Sequence, residues 1–276
     1  GSVALGWGSN AQGLLSFASG FYSFAQEEHS IAMGHLSRAH AINSIAIGFQ
    51  NIARGSGSVA FGNQTIAKSA YEVVLGSCND MYEPMSSFSW ELSDRLFVIG
   101  NGVPGITNSN ALTILKSGAM GLQSVTTPMY ALELPNSPDP GQGAGMAFEW
   151  LTYSDARIKS ETKSLSYGIN EVLKLKPVAY NHHSSILKDG KLQIEKAGEP
   201  SIGLIAQEVF EIIPEVVSKP KDENVALWGM NYEKLVPVLI KAIQEQQEEI
   251  DDLKELNKEV EALKQELLEV KKLLAK

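Results

Sequence analysis

The chain has 276 residues, of which 43% are hydrophobic and 20% charged, and it carries a formal net charge of −9. That balance describes an ordinary soluble chain with room for two or three domains, and it argues against nucleic acid, whose binders carry a basic patch. No apolar run approaches the roughly 18 to 20 residues a membrane span needs, no charged-then-apolar leader opens the chain, and the single cysteine, Cys78, has no intrachain disulfide partner.

The first half is a repeat. SVALG at 2–6 recurs as SFASG at 16–20, SIAMG at 30–34, SIAIG at 44–48 and SVAFG at 58–62, with a degenerate EVVLG at 72–76, a period of 14. Alanine falls on every seventh position from Ala4 to Ala67, and Val74 takes the next slot. A period of seven also suggests a heptad, but the recurring Gly6, Gly20, Gly34, Gly48 and Gly62 each cost a helix about 1 kcal/mol relative to alanine. The S-x-A-x-G alternation, with β-branched and aromatic residues at x, predicts short strands joined by Gly, Ser and Asn turns. Each 14-residue unit is then one coil of two strands, stacked so that the alanines form a thin interior. So thin a core predicts that the outward Val, Ile and Phe positions are covered by other copies of the chain.

Residues 2–76 resemble the head of the YadA-like trimeric adhesins, left-handed parallel β-rolls of SxAxG repeats. The resemblance implies a homotrimer and leaves the ligand open, since such heads serve both as adhesive surfaces and as spacers. Residues 1–76 carry six charges, three of each sign, so charge steering toward a partner is not expected. His29, His35 and His40 lie close in sequence but in different registers, and no metal site is expected there.

From Ser77 to Trp150, short apolar runs such as RLFVIGNG and NALTILKSGAMGLQ alternate with Gly, Pro, Asn and Ser, the signature of strands and turns. These stretches look like shaft segments of phage tail fibres and related bacterial surface proteins. Trp90 and Tyr82 are read as packing residues rather than glycan contacts, and PNSPDPGQGAG at 135–145 as an exposed linker.

After Trp150 the composition shifts. YGINEVLKLKPVAYN predicts a short amphipathic helix through Ile169, Val172, Leu173 and Leu175, ended by Pro177 and followed by a strand. A hairpin about Asp189-Gly190 leads into a buried strand and a helix, and a long helix runs to the C-terminus. Along it Leu253, Leu256, Val260, Leu263, Leu267, Val270 and Leu274 alternate spacings of three and four, a coiled-coil seam. His182 and His183 are placed at a strand end as ordinary surface residues.

Four blocks in order, SDARIK at 154–159, KPVAY at 176–180, IGLIAQEVFEIIPEVV at 202–217 and NYEKLVPVLIKAIQE at 231–245, resemble the intramolecular chaperone auto-processing domain of endosialidase-type phage tail spikes, shared with myelin regulatory factor. The resemblance implies a domain that trimerises, drives folding of the β-rich chain before it, and severs itself by serine chemistry. It assigns Ser154 as nucleophile, Tyr153-Ser154 as the scissile bond, Lys159 as general base, and Asp155 and Arg157 as supporting residues. On spacing alone, the same Ser-Asp pair reads as a helix cap or turn with solvated Arg157 and Lys159.

The expected layout is mainly β, then α+β: a β-roll at 1–76, a β-rich connector at 77–150, a chaperone domain at 151–245 and a coiled coil at 246–276. The expected function is a homotrimeric fibre or spike fragment, at a virion tail or a bacterial surface, whose C-terminal domain acts as trimerisation chaperone and cuts between Tyr153 and Ser154 by single-turnover Ser-Lys autoproteolysis. The alternative is a surface adhesin with an uncleaved trimer clamp. Partners are the chain itself and, for the head, a host cell-surface receptor or glycan; no cofactor, metal, nucleic acid or membrane is expected. A glycan-degrading enzyme would need paired carboxylates in a cleft, and the acids of residues 1–150 form no such constellation.

Overall fold

A computed structural model describes the chain from Gly1 to Lys276 except residues 124, 138–142, 146, 148–150, 189, 190, 275 and 276. It divides into two compact units, Gly1–Gly145 and Met146–Lys276.

The first unit opens as a solenoid. Strands Phe17–Phe21, Ile31–His35, Ile45–Phe49, Val59–Asn63 and Val73–Ser77 stack in parallel, and the two-residue strands Asn10–Ala11, Phe24–Ala25, Arg38–Ala39, Ile52–Ala53 and Ile66–Ala67 form a second parallel sheet. Register is exact at one repeat: Ala18 faces Ala32, which faces Ala46, then Ala60, while Ala25 faces Ala39, then Ala53. These alanines are fully buried and, with Val74 and Val98, form the core. A methyl-wide interior brings the two sheets close, so the larger side chains at the alternate positions must point outward. Val3, Leu5, Met33, Phe49 and Phe61 accordingly stay exposed on the long-strand sheet.

Corners are made by backbone handedness more than by turn residues. From Gly8 to Cys78 every seventh residue has φ between 42° and 65°, and most of these are Leu, Tyr, His, Gln or Asn rather than glycine. An L-residue there costs about 1–2 kcal/mol, offset by a hydrogen bond into the preceding coil. The Leu36 N–H donates to Phe21 O at 2.8 Å, Gln50 N–H to His35 O at 2.7 Å and Tyr71 N–H to Ser56 O at 2.8 Å. The next residue in each corner is buried and polar, a column running Ser16, Ser23, Ser30, Ser37, Ser44, Asn51, Ser58 and Thr65. Ser23 and Ser37 donate to the carbonyls of Gly34 and Gly48 at 2.9 and 3.0 Å.

Glu72 occupies the next slot of that column and is fully buried. Its Oε2 accepts from the Lys68 and Ser69 N–H groups at 2.7 and 2.9 Å, while Oε1 has no partner. Burial pushes its carboxyl up to about 7, against the pull of those two N–H groups, Arg95 and Lys116. A carboxyl raised from 4.5 in the unfolded chain to about 7 costs stability when ionised, and that cost is relieved as pH falls through 7 toward 4.5. In denaturant unfolding Glu72 is therefore expected to contribute roughly 2.5 kcal/mol of stability gained from pH 8 to 5, opposite in sign to the contribution of His40, whose imidazole burial lowers, and Glu72→Gln is expected to remove it.

The long-strand sheet does not stop with the repeat. Arg95–Asn101 adds in parallel, with Val98 opposite Val74, and Asn110–Leu115 and Met120–Leu122 then follow antiparallel. Tyr82 lies under the Arg95 guanidinium at 4.1 Å, whereas Trp90 is half exposed beside Tyr71. The expected linker at 135–145 lies in part outside the described residues.

In the second unit, helix α1 (Ile169–Val172) ends before Pro177, and strand Val178–Lys188 pairs antiparallel with Lys191–Gly203. The hairpin tip, residues 189 and 190, lies outside the described residues. Two expectations need correction. His182 and His183 sit within the first arm, opposite Glu199 and Gly198, rather than at a strand end. The segment expected as a buried strand is the distal part of the second arm, where Ile202 is 83% exposed, because a lone two-stranded ribbon has no layer to cover it. Helix α2 (Ala206–Phe210) and the first turns of α3 (Leu235–Leu274) enclose a small core of Val209, Ile213, Val216, Leu235 and Val238. Glu245 of α3 accepts the Ile169 N–H at 2.8 Å and ties α1 to the long helix.

Candidate functional site

The segment 151–166 is exposed and carries one turn of structure, a 3-10 turn at Ala156–Ile158. Asp155 starts it: its Oδ1 accepts the Arg157 N–H at 2.8 Å and the Arg157 Nε at 3.0 Å, and its Oδ2 accepts Nη2 at 2.7 Å. The same grip holds the Asp155 carboxyl below the usual carboxylate range and raises the Arg157 guanidinium. The turn closes with the Lys159 N–H donating to Ala156 O at 3.1 Å.

Residues five apart in an extended chain stand about 16 Å apart. The turn folds the Lys159 side chain back so that its Nζ lies 2.6 Å from Ser154 Oγ, donating to it. That is the nucleophile-to-base separation that activated serines require. Asp155 and Arg157, named as supporting residues through the family resemblance, together shape the turn that brings the lysine to the serine. On the N-terminal side of Ser154 the chain is open, with the Tyr153 side chain 94% exposed.

Residues 154–218 match the family "Chaperone of endosialidase", starting at this serine. The second unit carries a chaperone-of-endosialidase domain. Residues 25–51 and 39–65 match the YadA head domain repeat, so a YadA-type head precedes the chaperone domain. Two curated relatives, the long tail fiber proteins Gp37 of Enterobacteria phages M1 and Ox2, are each 34% identical over 102 residues, 37% of this chain and 38% of theirs. The match thus spans less than two fifths of those proteins.

Around the chaperone domain, the expected coiled-coil residues Leu253, Leu256, Val260, Leu263, Leu267 and Val270 are all exposed on α3; the Leu274 side chain lies outside the described residues. The apolar stripe reaches further back than expected. Val236, Leu239, Ile243 and Ile250 are exposed ahead of Leu253 at spacings of three, four and seven, while Leu235, Val238 and Ala242, each one position earlier and so on the neighbouring face, pack inward. These upstream positions were readable from their spacing but sit in a stretch that also feeds a core, so both faces are apolar and periodicity alone does not separate them. Elsewhere, His35 stacks between Phe21 and Phe49 at 5.0 and 4.8 Å, and His40 meets Gln26 at 2.6 Å. His29 lies at one of the left-handed corners.

Proposed function

We propose that the chain assembles as a homotrimeric phage tail fibre whose chaperone domain drives trimerisation and then releases itself by cutting between Tyr153 and Ser154. The observation that carries this reading is the 2.6 Å approach of Lys159 Nζ to Ser154 Oγ at the first residue of the chaperone-of-endosialidase match. The tail fiber relatives support the fibre assignment, and the exposed seam of α3 and the exposed apolar face of the head supply the surfaces three copies would cover.

The chemistry follows from the residues. Lysine accepts a proton only where burial or neighbouring cations favour its neutral form, and partner chains closing over the exposed 151–166 segment would provide that dry setting. Ser154 Oγ then attacks the Tyr153 carbonyl carbon as Lys159 takes the hydroxyl proton. The tetrahedral adduct collapses with the C–N bond breaking and the proton passing to the freed Ser154 nitrogen. The resulting Tyr153 ester on Ser154 Oγ is opened by water, leaving a carboxylate at 153 and a free amine at 154.

A denaturing gel tests the proposal. The wild-type chain is expected to resolve into pieces 1–153 and 154–276, and Ser154→Ala is expected to leave one full-length band. A wild-type chain that stays whole and matches Ser154→Ala would overturn the cutting step and leave the domain as a permanent trimer clamp.

A further inference from the structure

Where the roll meets the strands that follow it, the first unit buries four ionisable side chains together: Glu72, Asp94, Arg95 and Lys116. Asp94 and Lys116 flank the paired strands Arg95–Asn101 and Asn110–Leu115, and the Lys116 N–H donates to Asp94 O at 2.9 Å, fixing the two residues side by side. The Lys116 ammonium nitrogen is enclosed, has no hydrogen-bond partner, and lies 3.9 Å from Asp94 Oδ2 and 5.4 Å from the Trp90 ring. Asp94 Oδ1 accepts the Met85 N–H at 2.7 Å and Oδ2 the Ser86 N–H at 3.1 Å. Glu72 keeps Oε1 unpaired. A structural ion pair would close to hydrogen-bond distance, since buried charges left short of partners are costly. Lys116 Nζ instead stands 3.9 Å from Asp94 Oδ2, beyond hydrogen-bond reach, and Glu72 is near enough for its carboxylate to act on the Lys116 charge.

We propose that Lys116 and Asp94 condense into an intramolecular isopeptide bond, with the Glu72 carboxyl relaying the proton. Lys116 Nζ bonds to Asp94 Cγ, and the Met85 N–H on Oδ1 steadies the oxyanion of the tetrahedral adduct, as a fixed backbone donor does in acyl transfer. Oδ2, the oxygen nearer Lys116, then leaves as water. Two of the three ammonium protons depart with it, one of them through Glu72, which ends as it began. No other reactant is needed. The driving force is electrostatic: a buried ammonium and a buried carboxylate become one neutral amide, which removes the desolvation penalty of both. Burial lowers the Lys116 ammonium, against the pull of Asp94, Glu72 and Glu91, and so favours the nucleophilic amine, while the raised Glu72 carboxyl holds a proton near neutral pH. The remaining charged group of the cluster, Arg95, is engaged with Asp80 through Nη1 to its carbonyl at 2.7 Å and Nη2 to its carboxylate at 3.1 Å.

The bond would staple the strand that continues the roll to its antiparallel neighbour, at the point where the alanine repeat has run out. Mass spectrometry of the full chain reads it directly. The piece containing residues 1–153, severed or not, is expected to weigh about 18 Da less than its sequence, the mass of one water. Trypsin is expected to release a branched peptide joining residues 69–95 to the segment that runs uncut through Lys116. Lys116→Met is expected to restore the full mass, and Glu72→Gln to restore it or slow the loss of water at least tenfold. A wild-type chain at its full sequence mass, or a water lost from a peptide lacking Lys116, overturns the proposal. A Glu72→Gln chain that loses water at the wild-type rate removes Glu72 from it.

Discussion

A chain carrying Leu256→Glu and Leu263→Glu is expected to keep its Tyr153-Ser154 bond intact although Ser154, Lys159 and the turn between them are untouched. Both leucines are exposed on the seam of α3, and a glutamate at each would bring six carboxylates into the centre of a three-stranded coil, a cost far beyond what the remaining seam contacts return. Without assembly, the 151–166 segment stays open to water, where lysine is held as ammonium and serves poorly as a base. Loss of general-base action lowers a rate by about 10²–10⁴, so the expected gel shows a single full-length band over times in which the wild type is cut completely. Sedimentation of the same sample reports whether it is monomeric. A monomeric double variant that cuts at the normal rate would show that assembly is not the trigger, while leaving the Ser154-Lys159 chemistry in place.

Gly34→Ala is expected to be among the most damaging single substitutions in the roll. At φ +111° the backbone lies where L side chains are strained, and a Cβ there would stand 2.1 Å from the Gly48 carbonyl oxygen of the next coil. The obstacle is backbone, held in register on both sides, so it has no rotamer to yield with. Strain of about 1–3 kcal/mol adds to a coil displacement of similar or larger size, and a total above about 3 kcal/mol is expected. Gly105→Ala is the control, because φ is also positive there, +73°, but nothing lies within 4 Å of the added carbon. A thermal melt of the full chain is expected to show a large drop for Gly34→Ala and a small one for Gly105→Ala. Equal drops would assign the cost to φ alone.

Much of this was legible in the sequence because the repeat is dictated by contacts between identical neighbours. A period of 14 with alanine every seventh residue admits one stacking register, and the observed pairing Ala18–Ala32–Ala46–Ala60 is that register. The left-handed corners were not legible. Tyr22, Leu36 and Gln50 carry no turn signal, and they adopt that backbone because the coil below offers a carbonyl to the N–H. Nor did the charge count of residues 1–76 reveal Glu72 as buried, since its position in the serine column has meaning only once the column exists.

At the candidate site the division is similar. The motif SDARIK named the serine and the lysine, and the family match confirmed the domain they open. Spacing by itself left them as a cap and a solvated charge. Asp155 does act as a cap, and its capping turn is the device that closes the five-residue gap to 2.6 Å.

The stacked β-roll, the amphipathic long helix and the chaperone domain could be read from the residues alone, because each is written in local periodicity or in a contiguous motif. Which groups meet across distance depended on the fold: Lys116 beside Asp94, Glu245 on the first turn of α1, and the second apolar face of α3 ahead of Leu253. Such meetings depend on how strands and helices pack, and packing is set by the sum of many weak contacts whose partners lie far apart in the chain.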